Sequence, residues 1–346
     1  MTLQRTHTRS VLTPGQVCFG FFSIFCLFLI LRNSDTAIEY MSRGLLLCAK
    51  TVIPSLFPFM VLSELIVSGG FGNAVLQRIS RPLQRLFGIS EDGCCAVLLG
   101  MVCGFPVGAK CAMLSYDSGR MSRAECERVL CFANAPSSAF LISAVGVSLW
   151  GNRRFGVMLY LTVILSALIT GIGMNLFSPK RRKEELGTSV PLPKEAPLSG
   201  PKLFTRAVRS STESILLVCA YVVFFSAFTG TLNLILSQCS IPHTVHAALS
   251  GAFELSGGMS QAAALENTKL AALMCAGIAG WSGLSVHCQV LSVCDGRGLS
   301  FRPYFLAKIV QSVLCVLIFA GILCVFPDLT VPAESCAALD SWMYLI

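Results

Sequence analysis

The chain has 346 residues, of which 54% are hydrophobic and 13% charged, and its mean hydropathy is +0.71. These values exclude an ordinary soluble domain and indicate a membrane protein with room for roughly eight to ten membrane elements. The net charge of +8 comes from lysines and arginines placed mainly between apolar runs, which favours membrane topology over a nucleic-acid partner.

The N-terminal membrane half is predicted at 1–177. Its apolar runs predict helices at 12–31 and 42–68, a re-entrant hairpin at 91–119, a broken helix at 122–150 and a helix at 155–177. The first run also fits the apolar core of a signal peptide, but no small-residue cleavage site follows it, so we expect a retained helix. The sequence PSLFPF inside the second run predicts a kinked helix packed inside protein.

The hairpin is predicted from GMVCGFPVGAK at 100–110, which places three glycines and a proline inside an oily run. Each arm of about 13 residues reaches about 20 Å, which is enough to reach the membrane midplane and return. The glycines also fit a helix-packing surface of small residues, although packing does not explain the adjacent proline and lysine. The next segment is predicted to be broken at Asn134-Ala135-Pro136-Ser137-Ser138. A plain helix kink is the alternative interpretation of these residues.

Residues 178–202 are predicted to be a cytoplasmic linker, because they are rich in Pro, Lys and Glu and lack an apolar period. The C-terminal membrane half, 203–346, is predicted to contain a helix at 210–236, a hairpin at 243–265, a broken helix at 268–294 and a helix at 304–326. Its interruptions read ELSGG and GWSG. Interrupted segments at matching places in two halves are typical of secondary transporters.

The basic residues predict that the N-terminus is cytoplasmic. With this orientation, chosen to satisfy the charges, the basic loops and the linker lie inside and the acidic C-terminal tail lies outside. Arg153 and Arg154 violate the pattern. The first hairpin then enters from inside and the second from outside. The predicted fold is an all-α polytopic membrane protein of two inverted repeats with re-entrant hairpins and broken helices.

Broken helices free backbone N–H and C=O groups that lipid cannot satisfy, so four breaks near one depth predict a shared polar cavity. Half-helix N-termini suit an anionic group, and freed carbonyls suit a cation. The polar side chains expected around this cavity are Lys110, Asn134, Ser137, Ser138, Glu254, Ser256, Ser282, Ser285 and Gln289.

Lys110 and Glu254 are the charged members of this set. Lys110 either binds a substrate anion or pairs with Glu254, or it snorkels without a substrate role. Glu254 is a candidate ligand for a cation, a proton or the substrate. Lys50 and Glu64 are too far apart along one helix to pair with each other, so we expect them to be structural. His287 either relays protons or is a hydrogen-bonded bystander.

No nucleophile elbow, P-loop or HExxH pattern occurs, so the motifs support neither an enzyme nor an ATP-driven pump, and no catalytic residue is predicted. Many of the 17 cysteines lie inside apolar runs, without CxxC or Cys/His ligand spacing, so no metal site is predicted. No cofactor is expected, and coupling to Na⁺ or H⁺ is left open.

Several motifs in this order resemble the sporulation integral membrane protein YlbJ (SpoVV) family, of the Gate-domain, nucleoside-recognition group. They are LFPFMVLSELI (56–66), LLGMVCGFPVGAK (98–110), SRAECERVLCFANAPSSAFLISAVG (122–146), ELSGG (254–258) and GWSGLSVHCQV (280–290). The resemblance implies an architecture like that of concentrative nucleoside transporters. It also implies a multi-pass protein of the cell membrane, in spore formers the outer forespore membrane, that moves dipicolinic acid.

By position, the resemblance implies that the two hairpins and the two broken helices form the substrate site. This adds Gly104, Phe105, Pro106, Gly108, Gly257 and Trp281 to the candidate residues. The expected function is carriage of a small anionic or nucleoside-like solute by alternating access. A non-transporting structural or assembly protein of spore formation is the alternative. The expected partners are the solute and the lipid bilayer, and a homo-oligomer is left open.

Overall fold

The computed structural model describes residues 14–69, 80–177, 200–239 and 241–330, and these residues form helices and connecting loops without strands. Six helices are long and apolar enough to cross a membrane, or up to seven spans if a bent helix pair is counted as one more. The prediction of an all-α polytopic membrane protein is therefore confirmed. The helices are α1 Pro14–Arg32, α2 Ser34–Leu47, α3 Ile53–Ser68, α4 Ser80–Phe87, α5 Glu91–Cys103, α6 Val107–Asp117, α7 Arg123–Phe132, α8 Arg153–Leu176, α9 Gly200–Gln238, α10 His243–Phe253, α11 Leu255–Ala263, α12 Thr268–Trp281, α13 Leu284–Val293 and α14 Arg302–Val325.

The helix predicted at 42–68 begins earlier and contains a widened turn. Ser34–Ser68 is one continuous helical stretch, in which the π-helical turn Cys48–Val52 joins α2 to α3. Pro54 is the second residue after this turn. A proline has no N–H to donate, and its ring crowds the carbonyl four residues earlier, so a locally widened turn accommodates it.

The first hairpin consists of α5 and α6, which are joined by the short turn Gly104–Pro106. Gly104 has a φ of +85°, a backbone conformation that favours glycine. The turn thus occupies only three residues of the motif at 100–110, and Gly108 lies inside α6. Helix α4, which was not predicted, meets α5 at 96°.

In the second half, α9 begins at Gly200, ten residues before the predicted start at 210 and inside the predicted linker. The rest of that linker, 178–199, lies outside the described residues. With 39 residues, α9 is about 58 Å long and therefore longer than the hydrocarbon core is thick. The second hairpin, α10 and α11, is interrupted at Glu254 alone, and ELSGG is otherwise helical.

Each half also has its broken helix. In the first half α7 ends at Phe132, and a π-helix, Ala139–Leu149, continues the segment after a gap that contains Asn134. In the second half Ser282 and Gly283 separate α12 from α13, and both have positive φ angles.

Contacts at the ends of the helices show that the two halves are inverted. At one end, Arg297, between α13 and α14, forms an ion pair with Asp117 at the end of α6, with Nη2 2.7 Å from Oδ2. At the other end, the Asn152 side chain, between the π-helix and α8, donates to the Leu329 carbonyl, which follows α14, at 3.0 Å. The two broken helices therefore cross the molecule in opposite directions, and the hairpins beside them open toward opposite ends.

The halves also share a core. Trp150 and Phe155 of the first half stack with ring centroids 4.0 Å apart, and Phe155 meets Phe319 of α14 edge-on at 5.5 Å. Met259 of α11 and Cys275 of α12 are buried in the same cluster. Because this core joins elements of both halves, it holds the four interruptions near one another.

Candidate substrate cavity

Residues in or beside all four interruptions line one cavity of about 80 Å³. The hairpin turns contribute Phe105 and Glu254, and the broken helices contribute Ser137 and Ser285. The complete lining is Leu47, Thr51, Val52, Ser55, Leu56, Phe105, Ser137, Phe140, Val218, Val222, Glu254, Leu255, Ser256, Ser285, Val286 and Gln289. The convergence expected of the breaks is thus present in the structure.

The first-half wall is held by hydrogen bonds between the hairpin turn and the broken helix. The Phe105 N–H in the hairpin turn donates to the Ala135 carbonyl in the broken helix at 3.0 Å, so two backbone groups freed by the interruptions form a hydrogen bond with each other. The Ser137 Oγ accepts the Phe140 N–H at 3.2 Å. Gly104 packs so closely on Ser137 that an added Cβ would lie 2.7 Å from the Ser137 backbone nitrogen.

Glu254 caps its own hairpin arm. Its Oε1 accepts the Ser256 N–H at 2.9 Å, and its Oε2 accepts the Gly257 N–H at 2.6 Å. The carboxylate therefore lies at the positive N-terminus of α11, a place at which a solute anion was expected. Among the lining residues, Glu254 is the only ionisable side chain.

The N-terminus of α13 is different, because Gly283 supplies no side-chain cap. Ser285, in the first turn of α13, is 2% exposed, and its Oγ has no hydrogen-bond partner among the described residues. Gln289 lines the same cavity one turn further along. Donors at a helix N-terminus and an unpartnered hydroxyl together favour an acceptor group, such as a carboxylate, at this point.

Asn134 lies behind the cavity wall and connects the first-half elements. Its Oδ1 accepts the Ala109 N–H of α6 at 3.0 Å, and its Nδ2 donates to the Leu130 carbonyl at 3.0 Å. Its own carbonyl accepts a hydrogen bond from Lys308 of α14. Lys308 was not a predicted site residue, because α14 reads as an unbroken apolar helix.

Lys110 has a different partner from the one predicted. Its Nζ lies 2.7 Å from Oε2 of Glu64 in α3 and donates to Ser211 Oγ of α9 at 3.1 Å. Lys110 is buried and does not line the cavity. The expected pairing with Glu254 and the alternative of snorkelling were therefore both wrong, because Lys110 pairs with Glu64. Glu64, expected to be structural, is the missing partner. It was overlooked because the packing of α3 on α6 cannot be derived from spacing.

Several other candidates support the cavity without lining it. The Trp281 Nε1 donates to the Ala252 carbonyl at 3.0 Å, and its ring lies beside a separate apolar groove. The Ser282 Oγ donates to the Ala279 carbonyl at 3.1 Å. His287 Nδ1 lies 2.9 Å from the Tyr304 hydroxyl, a hydrogen-bonded position away from the lining. Pro106, Gly108, Ser138 and Gly257 are also absent from the lining.

The cavity lining also includes residues that were not predicted, among them Thr51, Ser55, Val218 and Val222. Thr51 and Ser55 flank Pro54 in the kinked helix, so that kink is the signal that could have marked them. Val218 and Val222 lie in α9, whose apolar pattern does not distinguish a cavity-facing valine from one that faces lipid.

The fold and cavity define a polytopic α-helical membrane protein of two inverted halves, with a cavity built from interrupted helices. The chain is similar to the sporulation integral membrane protein YlbJ of Bacillus subtilis (strain 168), with 28% identity over an alignment of 330 residues that covers 84% of this chain and 79% of the relative. The predicted resemblance to the YlbJ family is thereby confirmed. No family model matches the chain. No solved structure matches it either.

Proposed function

We propose that this protein is a membrane carrier that moves a small anionic or nucleoside-like solute by alternating access. The observation that supports the proposal is the convergence of four interruptions, two from each inverted half, on one cavity. Freed backbone groups at membrane depth are stable only where protein, water or solute satisfies them. Relative movement of two halves around such a site is how inverted-repeat carriers work.

The N-terminus of α13 would bind the anionic end of the solute. Its first-turn amides are uncapped by a side chain, and the buried Ser285 hydroxyl beside them lacks a partner among the described residues. Gln289 adds an amide donor one turn away. Dipicolinic acid, which the family resemblance implies, is an aromatic dicarboxylate, and one of its carboxylates could accept these hydrogen bonds.

Glu254 favours the second kind of solute in the proposal. A carboxylate in the cavity repels an anion but accepts hydrogen bonds from hydroxyl groups such as those of a ribose. The hydrogen bonds from α11 lessen this repulsion without removing the charge. A cavity of about 80 Å³ also holds only a few water molecules, so Phe105 and Phe140 in its lining would move aside when solute enters.

Binding of dipicolinate and of a nucleoside panel to the purified protein tests the proposal. If a carboxylate binds at α13, Ser285→Ala weakens dipicolinate binding by roughly 10-fold or more, whereas Glu254→Gln leaves it unchanged or tighter. If a nucleoside binds, Glu254→Gln weakens its binding. Ser260→Ala, an exposed position on α11, is the matched control and should change neither.

The proposal would be contradicted if neither solute binds to the folded protein and neither crosses the membrane of liposomes that contain it. That result would favour the structural or assembly role in spore formation. Placement in the cell membrane with a cytoplasmic N-terminus, and in the outer forespore membrane where the host sporulates, belongs to the same proposal.

A further inference from the structure

Lys308 of α14 is a buried ammonium group that lies on backbone and side-chain oxygens. It is 1% exposed, and its Nζ donates to the Asn134 carbonyl and, at 2.9 Å, to Gln311 Oε1. Among the described residues it forms no ion pair with an aspartate or glutamate. A lysine in a membrane helix without a carboxylate partner is costly, so its oxygen ligands need an explanation.

The Asn134 carbonyl belongs to the break that follows α7, whereas Gln311 is a residue of α14 itself. The last carbonyls of a helix carry partial negative charge, and an interrupted membrane helix leaves them without intrahelical partners. Gln311 Nε2 donates to the Cys131 carbonyl at 2.8 Å, and the Phe105 N–H donates to the Ala135 carbonyl at 3.0 Å. The Asn134 carbonyl, which lies between Cys131 and Ala135 in the sequence, accepts a hydrogen bond from the Lys308 ammonium. Freed carbonyls of this kind are the groups that coordinate Na⁺ in carriers with broken helices.

We propose that the Lys308 ammonium is a built-in cation that occupies the carbonyl site of the first-half break. A cation tethered to α14 cannot dissociate, so this chain needs no Na⁺ at that position and Na⁺ does not drive transport from there. The lack of Na⁺ coupling at this position rests on the proposed carrier function. The occupation of the carbonyl site by the ammonium rests on the contacts of Lys308 alone.

Within the part of the chain that the structure describes, a buried lysine on a broken-helix carbonyl is present at the first-half break and not at the second. The second-half break is closed locally, because the Ser282 N–H and Oγ donate to the Ile278 and Ala279 carbonyls, at 2.7 and 3.1 Å. Helix α8, the counterpart of α14 in the first half, has basic residues only at Arg153 and Arg154, at its start. A fixed positive charge at one break therefore distinguishes the two otherwise similar halves.

The first test uses the unmodified protein. We expect the Tm of the purified full chain in detergent to be the same, within about 1 °C, in NaCl, KCl and choline chloride at equal ionic strength. A Na⁺ site would instead raise Tm by about 4 °C when Na⁺ is present at 100 times its Kd. A rise specific to Na⁺ would overturn the proposal. Because the readout is Tm, the result does not depend on whether the protein is a carrier.

The second test removes the cation. Lys308→Ala should lower Tm by about 5–10 °C, and methylammonium or ethylammonium should restore part of the loss by filling the vacated space. Lys308→Met fills the space without a charge, so it should lower Tm without rescue. Lys269→Ala, at an exposed lysine on α12, is the control and should leave Tm unchanged. A Lys308→Met protein with the wild-type Tm would overturn the proposal.

Discussion

Two buried lysines in this membrane protein are neutralised in different ways. Lys110 faces a carboxylate, with its Nζ 2.7 Å from Oε2 of Glu64. Lys308 faces oxygens that carry only partial charges. The first arrangement joins α3, α6 and α9, and the second joins α14 to the first-half break. Each lysine therefore fixes the position of one hairpin or broken helix beside the cavity.

Removing the carboxylate from the first pair should be strongly destabilising. Glu64→Gln leaves the Lys110 ammonium buried beside a neutral amide oxygen and Ser211 Oγ, without a compensating negative charge, and we expect a loss of about 3–5 kcal/mol in unfolding free energy. The double variant Glu64→Leu with Lys110→Met should recover most of this loss, because no charge stays buried.

The matched control for this prediction is Glu39→Gln. Glu39 forms an exposed ion pair with Arg43 four residues away in α2, at 2.5 Å, and its loss should change stability by less than about 1 kcal/mol. Denaturant unfolding in detergent, followed for all the variants, provides the comparison. Equal losses for Glu64→Gln and Glu39→Gln would show that the Lys110 pair is not buried as described.

The residues around these lysines show how far the sequence predicts a site. Ser137, Glu254, Ser256 and Ser285 were predicted because each lies in or beside an interruption. Gln289 was predicted because it follows an interruption on the same segment, and Phe105 through the family resemblance. All six line the cavity. Glu64 pairs with Lys110 of α6, and Lys308 donates to the Asn134 carbonyl as well as to Gln311 of its own helix. The contacts that join different elements depend on tertiary packing that no local pattern encodes.

At the scale of elements, close backbone approach builds the first hairpin. A Cβ added to Gly100 would lie 2.7 Å from Gly108 Cα, and a Cβ on either glycine would overlap the Ala133 carbonyl. The small-residue packing alternative and the hairpin interpretation therefore describe different residues of one motif. Gly104 makes the turn, while Gly100 and Gly108 allow α5, α6 and the end of α7 to meet.

Gly108→Ala should therefore destabilise the hairpin. The new methyl group would overlap the Ala133 carbonyl, which is backbone and cannot rotate away, so we expect a loss of more than about 2 kcal/mol. Gly321→Ala is the control, because a Cβ there meets no atom within 4 Å and should stabilise α14 by up to about 1 kcal/mol. Similar unfolding free energies for both variants would contradict the close packing of the hairpin.

Element boundaries were predicted less well than element types, for physical reasons. Helix α9 starts at Gly200 rather than 210, because a helix can continue past the apolar run from which its span is recognised. The second hairpin breaks at one residue, because the Glu254 side chain supplies the hydrogen bonds that a longer turn would otherwise provide. Hydropathy measures how apolar a segment is, and it contains little information about helix extension beyond an apolar run or about capping by a side chain.

At the scale of the whole molecule, Arg123 and Arg297 lie at one end of the bundle, whereas Arg153 and Arg154 lie beside Asn152 at the other. Arg297 pairs with Asp117, and its guanidinium pKa is raised by hydrogen bonds to that carboxylate. Arg123 donates to the Gly298 carbonyl, and the Ser300 N–H donates to Glu127 at 2.9 Å. This end holds the junctions α6–α7 and α13–α14 together. The opposite end holds Asn152 and Leu329.

The end with Arg123 and Arg297 should face the cytoplasm, which reporter fusions inserted after Gly151 and after Gly296 can test. These glycines lie in the loops at opposite ends of the bundle, so a reporter active only in the cytoplasm should work at Gly296 and fail at Gly151. A fusion within the predicted linker at 178–202 should agree with Gly296, because α8 leads the chain back across the membrane from Gly151. Activity at Gly151 alone would reverse the orientation and place the N-terminus outside. Activity at both glycines would contradict the inverted arrangement of the halves, and with it the alternating access proposed for the cavity.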